Sequence, residues 1–311
     1  MIVKLNNVTK TYKNGLRALN NLSYEVRDGE IYGLLGPNGS GKTTSINCLL
    51  SLLKYDSGEI EIFGEPMNPE RYDIKAQIGV VPQNVAVFEE LTVYENIDYF
   101  CGLYIKDKAL RKQYVEDALD FVSLKDYRKF YPKKLSGGLL RRLNIACGIA
   151  HKPKLIILDE PTVAVDPQSR NKILEGIVKL NEQGATIIYT SHYMEEVEQI
   201  CDYIVIMDKG EVIKHGTKET LKDSISLGET IEIQVDEPKD LYIDLVKQIP
   251  NVYDCFYKED MLVIKSGKGP TNIPKVLNLF VEHQISYGKM YSSLPTLNDV
   301  FLEITGKELR D

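Results

Sequence analysis

Residues 36–44 read GPNGSGKTT, between the apolar run IYGLL at 31–35 and the run SINCLL at 45–50. This order of strand, glycine-rich loop and helix predicts a nucleoside triphosphate site, because glycines let backbone N–H groups face phosphate oxygens and the helix start adds positive charge. Lys42 can reach the β- and γ-phosphates, and the Thr43 hydroxyl can ligate Mg²⁺. A chance match in a glycine-rich turn is the alternative, and the flanking strand and helix argue against it. The residues assigned to the nucleotide here are Gly36, Pro37, Asn38, Gly39, Ser40, Gly41, Lys42, Thr43 and Thr44.

The composition is that of an ordinary globular protein, with 43% hydrophobic and 27% charged residues and a net charge of −7 over 311 residues. No long basic stretch is present, so a nucleic-acid partner is not expected. No apolar run approaches the ~20 residues that cross a bilayer, and residues 1–7, MIVKLNN, lack the apolar core of a signal peptide. We therefore expect a cytoplasmic protein that reaches the cytoplasmic face of the cell membrane only through a partner.

Strands and helices alternate along the first part of the chain, which predicts an α/β fold with a mostly parallel core sheet. The sequence TVYE at 92–95 has the form of a capping box and predicts a helix start at Thr92. Strands are predicted at 2–5, 22–26, 31–35, 59–63, 78–81, 155–158, 186–190, 203–207 and 212–214. Further helices are predicted at 108–122, from 137 onward, at 168–180 and at 194–200.

The order of elements changes after about residue 223, and this predicts two domains, 1–223 and 229–311. In the second, the order strand, helix, strand, strand, helix, strand fits a small α+β domain of the ferredoxin-like type. These elements are predicted at 230–235, 239–248, 252–257, 261–264, 273–281 and 286–291, and a terminal helix at 297–304.

A second chemical signal is LIILDE at 155–160, an apolar strand that ends in two acids. NTPases with such a phosphate loop use a strand-end carboxylate beside it to hold Mg²⁺, and we assign Asp159 to this role. The adjacent Glu160 can orient and polarise an attacking water. A strand that ends in a polar turn is the alternative, and the pairing with Lys42 argues against it.

Between these two signals lies LSGG at 135–138, at the start of a predicted helix. Here the sequence closely resembles the ATP-binding-cassette (ABC) ATPase family over roughly residues 1–220. A helix N-terminus with a hydroxyl and two glycines can bind an anion. In that family the segment faces the γ-phosphate held by the opposite subunit, so the resemblance implies that Ser136, Gly137 and Gly138 contact ATP across a head-to-tail dimer. It also implies an antiparallel β subdomain and an α-helical signature subdomain beside the core sheet of a P-loop NTPase.

The same resemblance implies roles for four further residues. Tyr12 matches the aromatic that stacks on adenine, with a half-buried strand tyrosine as the alternative. Gln83 matches the glutamine that links Mg²⁺ and the water to the transporter-facing surface. Asp166, in PTVAVD, matches the loop that crosses to the other subunit, and His192 matches the switch histidine that contacts the γ-phosphate. The implied catalytic residues are Glu160, His192, Lys42 and Gln83, and the implied Mg²⁺ ligands are Thr43, Gln83 and Asp159.

Two residues depart from the common family pattern. Leu139 stands where glutamine is usual and cannot make a polar contact to the nucleotide, and Ala164 stands where many relatives have glycine. Leu139 followed by Arg141-Arg142, together with LPTLNDVFLEITG at 294–306, resembles the ABC-2 subfamily of drug and antibiotic exporters. This implies an ATPase subunit, paired with itself or a sister ATPase, that drives integral membrane permease subunits of the ABC-2 type to export drugs, antibiotics or similar amphiphiles.

Two other functions stay open at this point. A soluble ABC ATPase of translation or DNA maintenance usually carries two cassettes or a long coiled coil between the two nucleotide motifs, and neither is present here. A small-molecule kinase with the same phosphate loop would leave LSGG at 135–138 unexplained.

Overall fold

The computed structural model describes residues 1–237 and 239–306. It divides into two compact units, Met1–Lys218 and a second that begins at Glu219. The predicted domain limits, 1–223 and 229–311, stay a prediction, and residues 307–311 of the second domain lie outside the described residues. We describe each unit separately.

The first unit contains two sheets and a set of helices. Its strands are β1 (Val3–Thr11), β2 (Arg17–Val26), β3 (Ile31–Leu35), β4 (Ser57–Ile62), β5 (Glu65–Pro66), β6 (Ile78–Val81), β7 (Leu155–Asp159), β8 (Thr186–Ser191), β9 (Tyr203–Asp208) and β10 (Glu211–Gly216). Its helices are α1 (Lys42–Leu49), α2 (Tyr72–Lys75), α3 (Val93–Gly102), α4 (Lys108–Phe121), α5 (Gly137–Ile149), α6 (Pro167–Glu182) and α7 (Met194–Ile200). A short helix, α8 (Lys218–Lys222), lies at the division between the units.

The larger sheet has the order β10-β9-β3-β8-β7-β6, and all its neighbouring pairs are parallel except β9 and β10. Every residue of β3, β7 and β8 is buried. Strands covered on both faces read as continuous apolar runs, and for this reason the sequence reveals them clearly. The predicted mostly parallel core sheet is confirmed.

The smaller sheet, β2-β1-β4-β5, is antiparallel. Its first strand runs to Thr11, well beyond the predicted end at Leu5. The pairing register shifts between Leu5 and Val8, where Asn7 has a φ of 51°. Such a bulge breaks the alternation of buried and exposed side chains, so the sequence pattern ends early.

The start of α3 is capped as predicted. Thr92 Oγ1 accepts a hydrogen bond from the Glu95 backbone N–H at 3.3 Å, and Glu95 Oε2 accepts one from the Thr92 backbone N–H at 2.8 Å. The capping box therefore stabilises the first turn of this helix.

The second unit is a four-stranded antiparallel sheet with three helices. Its elements, in chain order, are β11 (Leu227–Val235), α9 (Asp240–Lys247), β12 (Val252–Lys258), β13 (Met261–Gly267), α10 (Ile273–Glu282), β14 (Tyr287–Ser293) and α11 (Leu297–Thr305). The sheet order is β12-β13-β11-β14, which confirms the predicted ferredoxin-like arrangement. Its core includes Ile231, Ile264, Val276 and Phe280.

Candidate nucleotide-binding and catalytic site

The phosphate loop joins β3 to α1 and is packed tightly enough to require glycine. A Cβ on Gly36 would lie 2.4 Å from the Met207 carbonyl oxygen, and Gly41 has a φ of +106°. The hydroxyl of Ser40 is buried and has no hydrogen-bond partner among the described residues, which fits a loop built to receive an anion. The loop borders a cavity of ≈ 430 Å³. This cavity is lined by Tyr12, Leu16, Arg17, Ala18, Asn38, Gly39, Ser40, Gly41, Lys42, Thr43, Thr44, Gln83, Glu160 and Lys209.

Lys42 is buried at the floor of the loop. Its ammonium group donates to the Gly36 carbonyl at 2.7 Å and to the Pro37 carbonyl at 3.3 Å, and lies 3.5 Å from Glu160 Oε1. Burial lowers the pKa of Lys42, and the nearby Glu160 opposes that shift. The loop thus holds a cation where a phosphate chain would meet its N–H groups.

Asp159 is the last residue of β7 rather than the first after it, because it pairs with Thr190 on β8. Its carboxylate accepts hydrogen bonds from Thr190 Oγ1 at 2.6 Å and from Thr43 Oγ1 at 3.1 Å. The Thr43 hydroxyl, the Asp159 carboxylate and the amide oxygen of Gln83 are hard oxygen donors, which Mg²⁺ prefers. The three predicted Mg²⁺ ligands therefore fit the ion.

The Glu160 side chain is the meeting point of the predicted catalytic residues. Its Oε2 accepts a hydrogen bond from Gln83 Nε2 at 2.9 Å, and its Oε1 lies 3.4 Å from His192 Nδ1. Glu160 has a φ of 48°, and its backbone N–H is held by the Thr190 carbonyl and hydroxyl. Thr190 therefore holds the Glu160 backbone in an uncommon left-handed conformation, which fixes the direction of its side chain. We call Lys42, Thr43, Gln83, Asp159, Glu160 and His192 the phosphate cluster.

The predicted residues of the opposite subunit's site lie elsewhere in the chain. Ser136 is the exposed N-cap of α5, and Asp166 is the exposed N-cap of α6, where its carboxylate accepts a hydrogen bond from the Ser169 backbone N–H at 3.0 Å. A Cβ on Gly138 would lie 2.4 Å from Ser169 Oγ, so the two helix starts pack closely. We call Ser136, Gly137, Gly138 and Asp166 the signature edge. Among the described residues, none of these four lines the cavity at the phosphate loop.

The two departures from the family pattern also lie near this edge. Ala164 has a φ of 59°, a left-handed conformation that glycine adopts more readily. Its carbonyl oxygen faces Gly137, with 3.9 Å to a Cβ built there. Leu139, in the first turn of α5, is half-buried. The loop before Asp166 is therefore held in a strained form beside the signature segment.

Tyr12 lies just after β1 rather than within it. Its side chain is exposed and lines the cavity, and its hydroxyl lies 3.1 Å from Thr44 Oγ1. The ring therefore lies outside the strand, and its stacking on adenine stays a prediction. An exposed ring at the rim of the phosphate loop is suited to stacking against a base.

Two basic residues that line the cavity belong to no sequence motif. Arg17 and Lys209 line the cavity, Lys209 from the tight turn before Gly210, whose N–H donates to the Ser40 carbonyl at 2.9 Å. They lie far apart in sequence, and only the fold brings them to the loop.

No sequence motif includes Glu196, which is the centre of a buried network beside His192. Its Oε2 accepts hydrogen bonds from Tyr189 Oη at 2.6 Å, Thr162 Oγ1 at 2.8 Å and Ser191 Oγ at 3.1 Å. Its Oε1 lies 3.2 Å from Arg170 Nε. An acid on the apolar face of the predicted helix 194–200 was the available signal.

Comparisons with known proteins agree with this geometry. A family model described as "ABC transporter" matches residues 19–163. The linearmycin resistance ATP-binding protein LnrL of Bacillus subtilis is 38% identical over 315 residues, covering 100% of both chains. The Nod factor export ATP-binding protein I of Sinorhizobium fredii is 33% identical and covers 99% of this chain and 87% of its own.

A solved structure of an ATP-binding cassette is also similar to this chain over about two thirds of its length. The dimeric ATP-binding cassette MJ0796, bound to ADP and Pi after hydrolysis, is 31% identical, with a TM-score of 0.64 over 69% of this chain and 98% of its own. In the part of the chain that is described, no helix is long and apolar enough to cross a membrane. The chain belongs to the ATP-binding proteins of the ABC transporter family, and it is an ATPase.

Proposed function

We propose that the chain is the ATP-hydrolysing subunit of an ABC-2 type exporter of drugs, antibiotics or similar amphiphiles. The convergence of Lys42, Gln83 and His192 on the Glu160 carboxylate, beside the phosphate loop, is the observation that carries the catalytic part of this proposal. The names of the relatives, one for linearmycin resistance and others for Nod factor export, support export as the direction.

The phosphate cluster divides the chemistry between its members. Lys42 and the loop N–H groups bind the β- and γ-phosphates, and Thr43, Gln83 and Asp159 would hold Mg²⁺, which offsets phosphate charge when bound. Glu160 orients the attacking water, and its position against Gln83 and Lys42 fixes where that water lies. His192, at the end of β8, contacts the γ-phosphate as charge shifts during transfer.

The signature edge completes the site of a second chain. Its N-caps are exposed, and helix N-termini favour an anion. In the proposed head-to-tail pair, Ser136 of one chain approaches the γ-phosphate held by Lys42 of the other, so two chains enclose two ATP molecules. The pair is a homodimer or a heterodimer with a sister ATPase.

An exposed aromatic patch that includes Phe88, which follows Gln83 closely in the sequence, supports a membrane partner. Phe88 and Tyr99 are 42% and 47% exposed, their rings lie 4.9 Å apart, and Phe100 packs against both. Contiguous exposed apolar surface of this kind marks protein interfaces. We propose that integral membrane permease subunits dock here and that the chain works at the cytoplasmic face of the membrane.

The test is a pull-down of tagged Glu160→Gln protein with ATP from detergent-solubilised host membranes, followed by mass spectrometry. Because this variant is expected to bind ATP without hydrolysing it, the complex should persist and yield a polytopic membrane protein. The Lys42→Ala protein in the same experiment controls for nucleotide-independent capture. Recovery of only ribosomal or DNA-bound proteins would contradict the transporter function.

A further inference from the structure

Arg141 and Arg142 are adjacent on α5, but their guanidinium groups have very different surroundings. Arg142 donates one hydrogen bond, to the Val122 carbonyl at 2.9 Å. Arg141 is only 3% exposed, and all five of its N–H donors are used. The five acceptors are the backbone carbonyls of Pro161 (2.7 Å), Pro82 (2.9 Å), Gln83 (2.8 Å), Asp159 (3.2 Å) and Glu160 (2.7 Å).

These carbonyls belong to the two segments that carry the central pair of the phosphate cluster. One segment presents Gln83, the other presents Glu160, and their side chains are hydrogen-bonded at 2.9 Å. Arg141 therefore binds the backbone of the segments that carry Gln83 and Glu160, and the two side chains are joined to each other by a hydrogen bond. Asn144, one turn further along α5, adds hydrogen bonds to the Pro82 carbonyl at 3.2 Å and from the Ala86 N–H at 3.0 Å.

The same helix begins at the signature edge. Ser136 is its N-cap, and Arg141 lies in its second turn. Any displacement of α5 along or about its axis moves the guanidinium, and with it the five carbonyls. The helix that would contact one ATP is thus rigidly joined to the carboxylate that would hydrolyse the other.

We propose that Arg141 is a positioning residue for ATP hydrolysis, which fixes the Gln83–Glu160 pair relative to α5. The proposal rests on the roles proposed above for Gln83 and Glu160. Arg141 is not among the residues that line the cavity at the phosphate loop, and it acts only through the backbone of these two segments. Its effect is therefore on turnover and not on the binding of ATP.

Arginine is the one side chain suited to this position. Its planar fork presents five donors at fixed angles, whereas lysine offers three donors on a flexible stem. Burial lowers the pKa of Arg141, and Asp159 and Glu160 oppose that shift, so the group stays charged. Lysine would keep the charge and leave carbonyls of the two segments without a donor.

The experiment compares Arg141→Lys with Arg142→Lys in the purified full-length chain, measuring kcat, the Kd for ATP and thermal unfolding. For Arg141→Lys we expect kcat to fall about 100-fold, because small displacements of catalytic groups cost that much, with the Kd for ATP within about twofold of the parent. Arg142→Lys should keep kcat. The Arg141→Lys effect should also shrink when Gln83→Ala is already present, since coupled residues are not additive.

Equal kcat in the two lysine variants, or a parallel loss of ATP binding and kcat in Arg141→Lys, would overturn the positioning role. If Arg141→Lys does not fold, Arg141→Gln is measured in its place, since a neutral amide keeps two donors without a buried charge. Glu160→Gln in the same assay distinguishes failure of the proposed Glu160 role from failure of the Arg141 role. If it keeps turnover, the proposed role of Glu160 fails and that of Arg141 with it; if it is inactive, only the arginine comparison decides.

Discussion

The phosphate cluster and the signature edge are built in opposite ways. Lys42, Asp159 and Glu160 are each 5% exposed and bonded to one another or to neighbouring strands. Ser136 and Asp166 are exposed, and their side chains accept hydrogen bonds from the first turn of their own helices. The phosphate cluster is complete within one chain, whereas the signature edge consists of exposed helix N-termini.

This difference indicates how the two halves depend on a second chain. Buried charges are stable only when paired, so the phosphate cluster must be preformed in each chain. Exposed helix N-termini gain little until an anion reaches them. Changes in the cluster should therefore abolish chemistry within one chain, while changes at the edge should act across the pair.

The largest effect is expected from Glu160→Gln. Loss of the carboxylate that orients water should lower kcat by ~10³-fold or more, within the range for a general base, because the amide cannot accept a proton. ATP binding should persist, since the loop and Lys42 are unchanged. Phosphate release and equilibrium binding of ATP check this.

Glu195→Gln is the matched control, because Glu195 is an exposed acid on α7 and the change removes the same charge. It should keep the parent kcat. A Glu160→Gln protein with steady hydrolysis near the parent rate would show that another group serves as the base.

A complementation experiment separates the two regions directly. Lys42→Ala removes the cation of the cluster, and Ser136→Arg places a bulky cation on the edge, so each protein alone should lose nearly all ATPase activity. In a 1:1 mixture, half of the pairs combine both chains and regain one intact site, so about a quarter of the parent activity should return. Failure of the mixture to exceed either variant would contradict a site shared between chains.

The sequence predicts the residues of the phosphate cluster but not the buried residues that hold them in place. The residues from Gly36 to Thr44 follow β3, and Asp159 and Glu160 lie at the end of β7. Both are buried parallel strands whose apolar runs are plain in the sequence. Arg141 and Glu196 have no such pattern. Their hydrogen-bond partners come from segments distant in sequence, and only the packed fold defines them.

The limits of the elements show the same division. The predicted limits of strands with continuous apolar runs agree with the structure to within a residue or two, as in β3 and β7. The predicted end of the first strand at Leu5 is wrong, because the bulge near Asn7 shifts the alternation of its side chains. The sequence does not predict the short helix Tyr72–Lys75, since four residues carry no helical period.

Thr43→Val sharpens the assignment of Mg²⁺ within the cluster. The change removes the hydroxyl that lies 3.1 Å from Asp159 Oδ2 and keeps the branched shape. We expect the Mg²⁺ concentration for half-maximal hydrolysis to rise about tenfold, the usual loss when a group at a metal site is removed. Thr11→Val is the control, because Thr11 is an exposed residue of β1 that is not among the residues lining the cavity. An unchanged Mg²⁺ midpoint in Thr43→Val would remove Thr43 from the metal site.

The smallest effect is expected from Asp166→Asn. The Ser169 backbone N–H holds the pKa of Asp166 below its usual range. A carboxyl whose pKa is lower in the folded chain stabilises it above the unfolded pKa, and this contribution is lost as the pH falls through the folded pKa. The parent should therefore have a slightly higher Tm than the variant near pH 7, and the two should converge as the pH falls below about 3.9, the ordinary aspartate value.

The matched change is Asp107→Asn, at the N-cap of α4, where the carboxylate accepts from the Leu110 N–H at 2.8 Å. It removes a comparable capping charge far from the signature edge in sequence. Both variants should lose a little Tm near pH 7, but only Asp166→Asn should lower the ATPase rate, because only Asp166 lies on the edge that meets a second chain. If the two variants have the same ATPase rate, Asp166 serves only as a helix cap, and the signature edge contributes to the shared site only through α5.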